Sequence, residues 1–374
     1  MKQYLSLREQ YPRFAYRGYE IEENDSCLKI TYRFETLGLS EFAPVWVFPK
    51  AEGDCRRWSE DRLMQDMIFS LGMVELISYW KIACPPTVTV EAGRLNQDQI
   101  DWWKDLYFNG LGEFFYVNGI KEADPNHFMD IQCAGQLKAP CTDQYKERHE
   151  ECGVETVGKG SGVLVPIGGG KDSAVTLELL RLAGKPVCAY IINPRGATIH
   201  TTEVAGLDAA HVISAKRTLD SNMLELNRQG YLNGHTPFSA LVAFSGIIAA
   251  RMHGLTMVAL SNESSANEST VQGSTVNHQY SKSFKFEEDF HYYQTTYLKG
   301  SAYYFSMLRP LSVWAAVMKL IQPSYLRSKG WRKQVRRCPV FFPIIKPQTC
   351  IRSTEPGETS THPIMTGITW FRMT

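Results

Sequence analysis

The sequence predicts an α/β protein, built on a doubly wound, mostly parallel sheet and preceded by a smaller α+β domain. Short continuous apolar runs occur at Gly162–Ile167, Val187–Ile192 and Leu255–Leu260, and such runs are typical of strands buried on both faces. Helical patterns separate these runs, at Ser173–Ala183 and Ser239–His253. Strands and helices that alternate in this way indicate βαβ units and therefore parallel strands.

The first 155 residues show a different pattern, rich in aromatic side chains. Cys27–Phe34 alternates apolar and polar residues, which predicts a half-buried strand. Leu63–Tyr79 and Gln97–Tyr107 carry apolar residues at helical spacing, which predicts two helices. We interpret the aromatic residues as core packing and predict an α+β domain over residues 1–155.

The composition changes again after about residue 320. Prolines stand at positions 323, 339, 343, 347, 356 and 363, and basic residues crowd the stretch Arg327–Arg337. Proline lacks a backbone donor and fixes φ, so it disfavours helix interiors and central strands. We therefore predict a sheet domain over residues 156–322 and an atypical, poorly ordered tail over residues 323–374.

Composition excludes several classes of function. The 374 residues include 40 lysines and arginines against 39 acidic residues, a net charge of +1, which argues against nucleic-acid or polybasic membrane partners. Neither a membrane-spanning apolar run nor an apolar secretory segment is visible. The nine cysteines include no C-x-x-C pair, which argues against a disulfide framework. We expect a reduced, cytoplasmic protein.

The strongest local signal is a glycine loop, Gly168–Ser173, which joins the first apolar run to a helix. Glycines let the backbone approach an anion, and a helix start offers N–H groups and a positive dipole end, so the loop predicts a phosphate or pyrophosphate site. The loop is not a Walker A motif, because Val165 stands at the first glycine position and Asp172 follows the lysine. It is not a dinucleotide motif, because Ser173 replaces the last glycine.

The loop resembles the S-G-G-x-D-[ST] motif of the N-type ATP pyrophosphatases, with Gly168 in place of the first serine. The resemblance implies the PP-loop, adenine nucleotide alpha hydrolase-like form of the predicted fold, with ATP and Mg²⁺ as ligands. Magnesium is commonly held by phosphates together with one or two carboxylates, and Asp172 is the candidate ligand. The implied ATP-binding residues are Gly168, Gly169, Gly170, Lys171, Asp172, Ser173 and Asn193.

Further polar segments follow the strands at the same predicted edge of the sheet. Asn193–Glu203 follows the second strand, Ser261–Asn267 follows the third, and the turn Asn233–Phe238 precedes the buried helix. Ligands of open α/β sheets bind outside the carboxyl ends of the strands, so these segments are placed to meet the nucleotide. For any single polar residue, a capping or turn hydrogen bond is an equally good interpretation.

Longer segments give a more specific resemblance. PIGGGKDSAVTLELL, NPRGATIHTTEVAGL, NGHTPFSALVAFSGIIAARMHG, ALSNESSANES and VNHQYSKSFKFEEDF are similar to the MurL family of UDP-N-acetylmuramoyl-L-alanyl-L-glutamate epimerases. The resemblance covers about residues 16–320. It implies that ATP activates the terminal L-Glu of a UDP-muramoyl dipeptide, which is returned as D-Glu for peptidoglycan synthesis with release of AMP and diphosphate. Candidates for moving the Cα proton, by chemistry, are His235, His278, Glu263 and Glu268.

The tail departs from the family. Where the family carries a segment with paired cysteines, this chain has Cys338-Pro339 without a paired spacing, and a frameshifted or replaced tail would explain the difference. Two alternatives stay open: a PP-loop enzyme that adenylates tRNA or a nucleobase, and an inactive nucleotide-binding remnant. AMP release with and without the muramoyl dipeptide would separate them.

Overall fold

The computed structural model describes residues 2–121, 123–133, 162–263 and 280–308, together with two short strands at 342–343 and 370–371. The predicted domain boundaries near residues 155 and 322 fall outside these ranges, as does most of the predicted tail. The division into 1–155, 156–322 and 323–374 therefore stays a prediction. Among the described residues, no helix has the length and apolar character needed to cross a bilayer.

The described elements up to residue 133 mix helices and strands. They are α1 Lys2–Gln10, β1 Arg13–Glu23, β2 Cys27–Thr36, β3 Ser40–Phe42, β4 Val45–Pro49, α2 Arg62–Trp80, β5 Thr87–Val90, α3 Gln97–Gly110, α4 Gly112–Val117 and β6 Asp130–Cys133. The predicted strand from Cys27 and the two predicted helices are confirmed as β2, α2 and α3. Alternate β2 residues are buried as expected, namely Leu28, Ile30, Tyr32 and Phe34.

From residue 162 onward, strands and helices alternate. The elements are β7 Val163–Pro166, α5 Lys171–Leu182, β8 Val187–Ile192, α6 Gly196–Val204, β9 Val212–Thr218, α7 Ser221–Arg228, α8 Phe238–Met252, β10 Met257–Glu263, α9 Phe284–Tyr297 and β11 Tyr303–Leu308. The strands β12 Phe342–Pro343 and β13 Trp370–Phe371 pair with each other antiparallel. The predicted strand–helix order is confirmed.

The five strands β7 to β11 form a parallel array in the order β11-β10-β7-β8-β9. Strand β7 comes first of these five along the chain, yet it lies in the middle of the array, between β8 and β10. The strand order therefore reverses between β7 and β10, and ligands of open α/β sheets bind outside such a reversal, at the carboxyl ends. The prediction of a mixed α/β fold with a large, mostly parallel sheet is confirmed.

Helices cover both faces of the parallel strands. Val163 and Val165 of β7 lie in one apolar cluster with Leu177 of α5, whereas Leu164 between them lies in the main core with Phe244 of α8. Successive side chains of a strand point to opposite faces of the sheet, so α5 and α8 cover opposite faces. This arrangement explains why β7 reads as a continuous apolar run rather than an alternating one.

The sheet continues from the parallel strands into the N-terminal elements. Strand β4 pairs antiparallel with β9, with Trp46 opposite Arg217, and β2, β1, β5 and β6 extend the sheet beyond β4. One eleven-stranded sheet therefore contains strands from both predicted domains. Helix α2 packs antiparallel to α8, with Asp61 at its start 2.6 Å from Arg251 near the end of α8.

A buried ion pair fastens this junction. The Glu75 carboxylate on α2 accepts two short hydrogen bonds from the Arg217 guanidinium, Nε to Oε2 at 2.9 Å and Nη2 to Oε1 at 2.7 Å. Trp46 on β4 donates its indole N–H to the same carboxylate at 3.0 Å. Glu75 is fully buried, so the geometry satisfies a charge that would be costly alone.

Candidate functional site

The glycine loop lies at the carboxyl end of β7 and packs against the start of α6. Gly169 has a φ of +78°, and a Cβ added there would lie 3.0 Å from Ala197 Cβ and 3.2 Å from the Thr198 backbone nitrogen. Among the described residues, a Cβ added to Gly168 or Gly170 would meet no heavy atom within 4 Å. Gly169 therefore packs closely against the start of α6, whereas Gly168 and Gly170 border space that the described residues do not fill.

Gly169→Ala is expected to lower the free energy of unfolding by about 1–3 kcal/mol, because it combines a left-handed φ with contacts that are too close. Urea-induced unfolding followed by far-UV circular dichroism measures the effect. Gly168→Ala, where the added methyl has room, serves as the matched control and should change stability by less than about 1 kcal/mol. Equal effects of the two substitutions would contradict the geometry of the loop.

Helix α5 begins directly after the loop without a side-chain cap, since Gly170 precedes it. Uncapped first-turn N–H groups and the positive helix end form a ready site for phosphate oxygens. Ser173 is buried, and its Oγ donates to the Gly170 carbonyl at 3.0 Å. The Ser173 side chain therefore braces the turn that shapes the loop.

Asp172, the predicted magnesium ligand, is about one-third exposed and lies 2.5 Å from the Lys171 ammonium. The described residues contain no group of three or more His, Cys, Asp or Glu side chains placed to hold a metal ion. Magnesium is commonly held by one or two carboxylates together with phosphate oxygens and waters. A single carboxylate beside a phosphate site fits that pattern, and the assignment of Asp172 stays a prediction.

Asn193 has its side-chain amide engaged with the backbone. Its Nδ2 donates to the Arg217 carbonyl and its Oδ1 accepts from the Arg217 N–H, both at 2.8 Å. Its φ is +52°, a conformation that asparagine tolerates better than most residues. These bonds join the ends of β8 and β9, so Asn193 positions the loop before α6, and its predicted contact with ATP stays a prediction.

The end of β10 differs from the sequence prediction. The loop was expected to begin at Ser261, but Ser261–Glu263 continue the strand beside β11, across a register shift. Asn262 is buried and donates from Nδ2 to Ser306 Oγ on β11 at 3.1 Å, which satisfies a polar side chain within the sheet. The predicted loop start was wrong because Asn262 finds its partner on a strand that lies more than 40 residues later in the chain.

Ser261 lies at the reversal in strand order. Met257 pairs with Val163 in parallel register, and extending that register brings Ser261 level with Ile167, immediately before the glycine loop. The Ser261 hydroxyl is buried and has no hydrogen-bond partner among the described residues. Buried hydroxyls are normally paired, so an unsatisfied one beside the loop favours a ligand at this position.

The four candidate proton carriers are only partly placed. His235 is exposed on the turn before α8, and this turn lies at the carboxyl edge because α8 returns antiparallel to β10. Glu263 ends β10 at the same edge, and the structure describes its backbone. Glu268 and His278 lie outside the described residues. His235 and Glu263 therefore share the edge with the glycine loop.

Sequence reasoning missed Lys81, one residue beyond α2. It is 7% exposed, and its Nζ donates to the Gly234 carbonyl at 2.5 Å, in the turn that carries His235. Burial, assisted by the nearby Arg217 charge, lowers the pKa of Lys81 to about 8. The sequence held a signal, since this lysine stands inside the apolar run from Tyr79 to Cys84.

Comparisons with known proteins place the chain among sequence relatives. The MurL N-terminal domain model matches residues 6–307. A protein of Xanthomonas oryzae pv. oryzae (strain MAFF 311018), named UDP-N-acetyl-alpha-D-muramoyl-L-alanyl-L-glutamate epimerase, is 33% identical over 251 residues, which cover 67% of this chain and 51% of that protein. A protein of Salinispora tropica with the same name is 29% identical over 247 residues, 65% of this chain and 49% of the relative.

The chain spans about half the length of the curated relatives it matches. The domain model, in contrast, extends from α1 through nearly all of β11 and includes the glycine loop, the Asn233–Phe238 turn and Lys81. On that match, the chain belongs to the MurL N-terminal domain family.

Proposed function

We propose that this protein acts as an ATP-dependent epimerase, which converts the terminal L-Glu of UDP-MurNAc-L-Ala-L-Glu to D-Glu for peptidoglycan synthesis in the cytoplasm. The names of the relatives support the reaction and the substrate. The observation that carries the use of ATP is the glycine loop, which joins β7 to the uncapped start of α5 beside the reversal in strand order.

Three features at the glycine loop support the proposed binding of nucleotide phosphates. Gly168 and Gly170 border open space, and α5 presents its first turn without a side-chain cap. The buried Ser261 hydroxyl on the neighbouring strand offers a further hydrogen bond. The predicted ATP contacts through Gly168–Ser173 therefore form part of the proposal, with Asp172 as the residue that would hold Mg²⁺.

Activation by ATP answers a chemical difficulty of epimerisation. A carboxylate suppresses the acidity of its own Cα–H, since deprotonation would place a second negative charge beside the first. When the carboxylate oxygen attacks the α-phosphorus of ATP, diphosphate leaves and an acyl adenylate forms. The carbonyl group beside Cα then carries no negative charge. A base can then remove the Cα proton to give an enolate, and an acid returns a proton to the other face. Water finally releases the D-carboxylate and AMP.

The proposal assigns the proton transfers to groups at the carboxyl edge. His235 and Glu263 reach that edge in the described structure, and Glu268 and His278 complete the candidate set from the sequence. Mg²⁺ held by Asp172 and the phosphates would offset the charge of the departing diphosphate. The proposal includes no nucleic-acid or membrane partner.

The test follows two products of one reaction in deuterium oxide. The purified chain is incubated with the UDP-muramoyl dipeptide, with and without ATP and Mg²⁺, and AMP is quantified alongside deuterium at the glutamate Cα. We expect both AMP and deuterium, and only when ATP and the dipeptide are present together. Deuterium exchange without ATP would point to an ATP-independent mechanism, and the absence of both products would overturn the proposal for this chain.

A further inference from the structure

Lys81 presents a buried charge that the described chain does not balance. The residue is 7% exposed, and of the three ammonium N–H groups one donates to the Gly234 carbonyl at 2.5 Å. Within the part of the chain that the structure describes, the ammonium has no carboxylate partner. Buried charges are normally paired, so this lysine departs from the usual rule.

The neighbouring charges make the imbalance larger. Arg217 is a second cation that acts on Lys81, and Glu75 already pairs with Arg217 through two short hydrogen bonds. The other titratable neighbour that acts on Lys81 is Cys84, a buried thiol whose pKa is itself raised by burial. One carboxylate and two cations therefore leave about one positive charge, since the pKa of Lys81, near 8, keeps it mostly protonated at neutral pH.

The uncompensated charge lies beneath the turn Asn233–Pro237 at the carboxyl edge. Two hydrogen bonds hold the turn against the rest of the protein. The Leu232 N–H donates to the Ile82 carbonyl at 3.2 Å, and Asn118 Nδ2 donates to the Asn233 carbonyl at 3.0 Å. Asn233 and His235, in contrast, are exposed. The lysine is thus held at a rigid turn whose outer side faces the region where ligands of such sheets bind.

We propose that Lys81 is the cationic group of an anion-binding site beside the turn Asn233–Pro237, which takes a phosphate or carboxylate of the ligand. The site lies apart from the glycine loop, on the side of the sheet edge where β9 and α2 meet. The inference rests on the proposed function only for the identity of the ligand, since the charge imbalance is a property of the chain. The anion would supply the counter-charge that the described residues lack.

The test measures binding by isothermal titration calorimetry with three probes: inorganic diphosphate, ATP with Mg²⁺, and UDP-MurNAc-L-Ala-L-Glu. Lys81→Met should weaken at least one probe roughly 100-fold, the usual order for removing one partner of a buried charge pair. Lys216→Met removes an exposed lysine from β9 at the same end of the sheet and should leave all three affinities unchanged. The probe whose affinity falls shows whether the site binds the phosphates of ATP or an anionic group of the UDP-muramoyl dipeptide.

The pH dependence separates a bound charge from a packing effect. Above about pH 8 the wild-type affinity for the responding probe should fall about tenfold per pH unit as Lys81 loses its proton. Lys81→Arg should bind without this decline, because a guanidinium stays protonated throughout that range. An identical decline in Lys81→Arg would overturn the proposal.

The third measurement is the pH dependence of the free energy of unfolding. The pKa of Lys81 is lower in the folded chain than its ordinary value, so the folded state disfavours the proton and wild-type stability should rise as pH increases from about 8 to 10. Lys81→Met should unfold at the same or higher urea concentration at neutral pH and lack that rise. A destabilised Lys81→Met that binds every probe normally would show a structural role and overturn the proposal. Normal Lys81-dependent binding without AMP release would instead contradict only the proposed function.

Discussion

Glu75→Gln is expected to lower the free energy of unfolding by about 3–5 kcal/mol, the usual cost of breaking a buried ion pair from one side. The substitution leaves the Arg217 guanidinium charged in a site where only 11% of its side chain is exposed. It also weakens the acceptor of the Trp46 indole N–H, so the contacts of β4 and of β9 with α2 are both weakened. Urea-induced unfolding, followed by tryptophan fluorescence and circular dichroism, measures the change.

The control is a carboxylate in an exposed pair. Glu35 accepts from Arg17 across β1 and β2, and its side chain is 25% exposed. Glu35→Gln should change stability by less than about 1 kcal/mol, because solvent screens such pairs. A double variant, Glu75→Leu with Arg217→Met, should recover part of the loss, since apolar replacement of both partners removes the unpaired charge. If Glu75→Gln behaved like Glu35→Gln, the ion pair would not hold the junction of the sheet.

Local patterns were sufficient to predict the elements with the clearest periodicity. The apolar run Val187–Ile192 coincides with β8, and α3 begins at Gln97, as its helical spacing predicts. Such elements are encoded within about ten consecutive residues, so periodicity finds them. The end of β10 could not be found in this way, because Asn262 is stabilised by Ser306, which lies 44 residues later.

The continuous sheet is a second feature that local patterns do not contain. Strand β4 pairs with β9 more than 160 residues further along the chain, for example at Val45 and Thr218. Each strand is recognisable alone, but nothing in either segment specifies the other as its partner. The two halves of the chain therefore looked like separate units in the sequence, whereas the structure joins their strands edge to edge.

The candidate site likewise has one part that local sequence encodes and one part that tertiary packing creates. The glycine loop is encoded by six consecutive residues, so its anion-binding geometry could be predicted before any tertiary structure was known. Lys81 reaches the carboxyl edge only because α2 packs antiparallel to α8, which is a tertiary event. The only feature of the local sequence that pointed to Lys81 was a charged residue within an apolar run. Burying a charge lowers the stability of the fold, and such departures from the usual rules are expected at functional sites.

Asp172→Ala is expected to reduce ATP-dependent AMP release at least about 100-fold, the usual scale for removing a group that stabilises charge in a transition state. If Asp172 holds Mg²⁺ against the phosphates, the substitution removes that ligand at the first turn of α5. Ser173→Ala should also reduce AMP release, since its hydroxyl braces the loop through the Gly170 carbonyl. Glu22→Gln on β1, where the side chain is 64% exposed, is the control and should retain normal AMP release.

The fold should survive Asp172→Ala, and this separates a functional loss from unfolding. The pair between Asp172 and Lys171 is about one-third exposed, and exposed pairs of this kind contribute less than about 1 kcal/mol. Urea unfolding should therefore be nearly unchanged while AMP release collapses. Since Mg²⁺ would join Asp172 to the phosphates, the affinity for ATP with Mg²⁺ should also fall, whereas the affinity without Mg²⁺ should not. Normal AMP release by Asp172→Ala would show that the glycine loop does not bind the nucleotide in the proposed way.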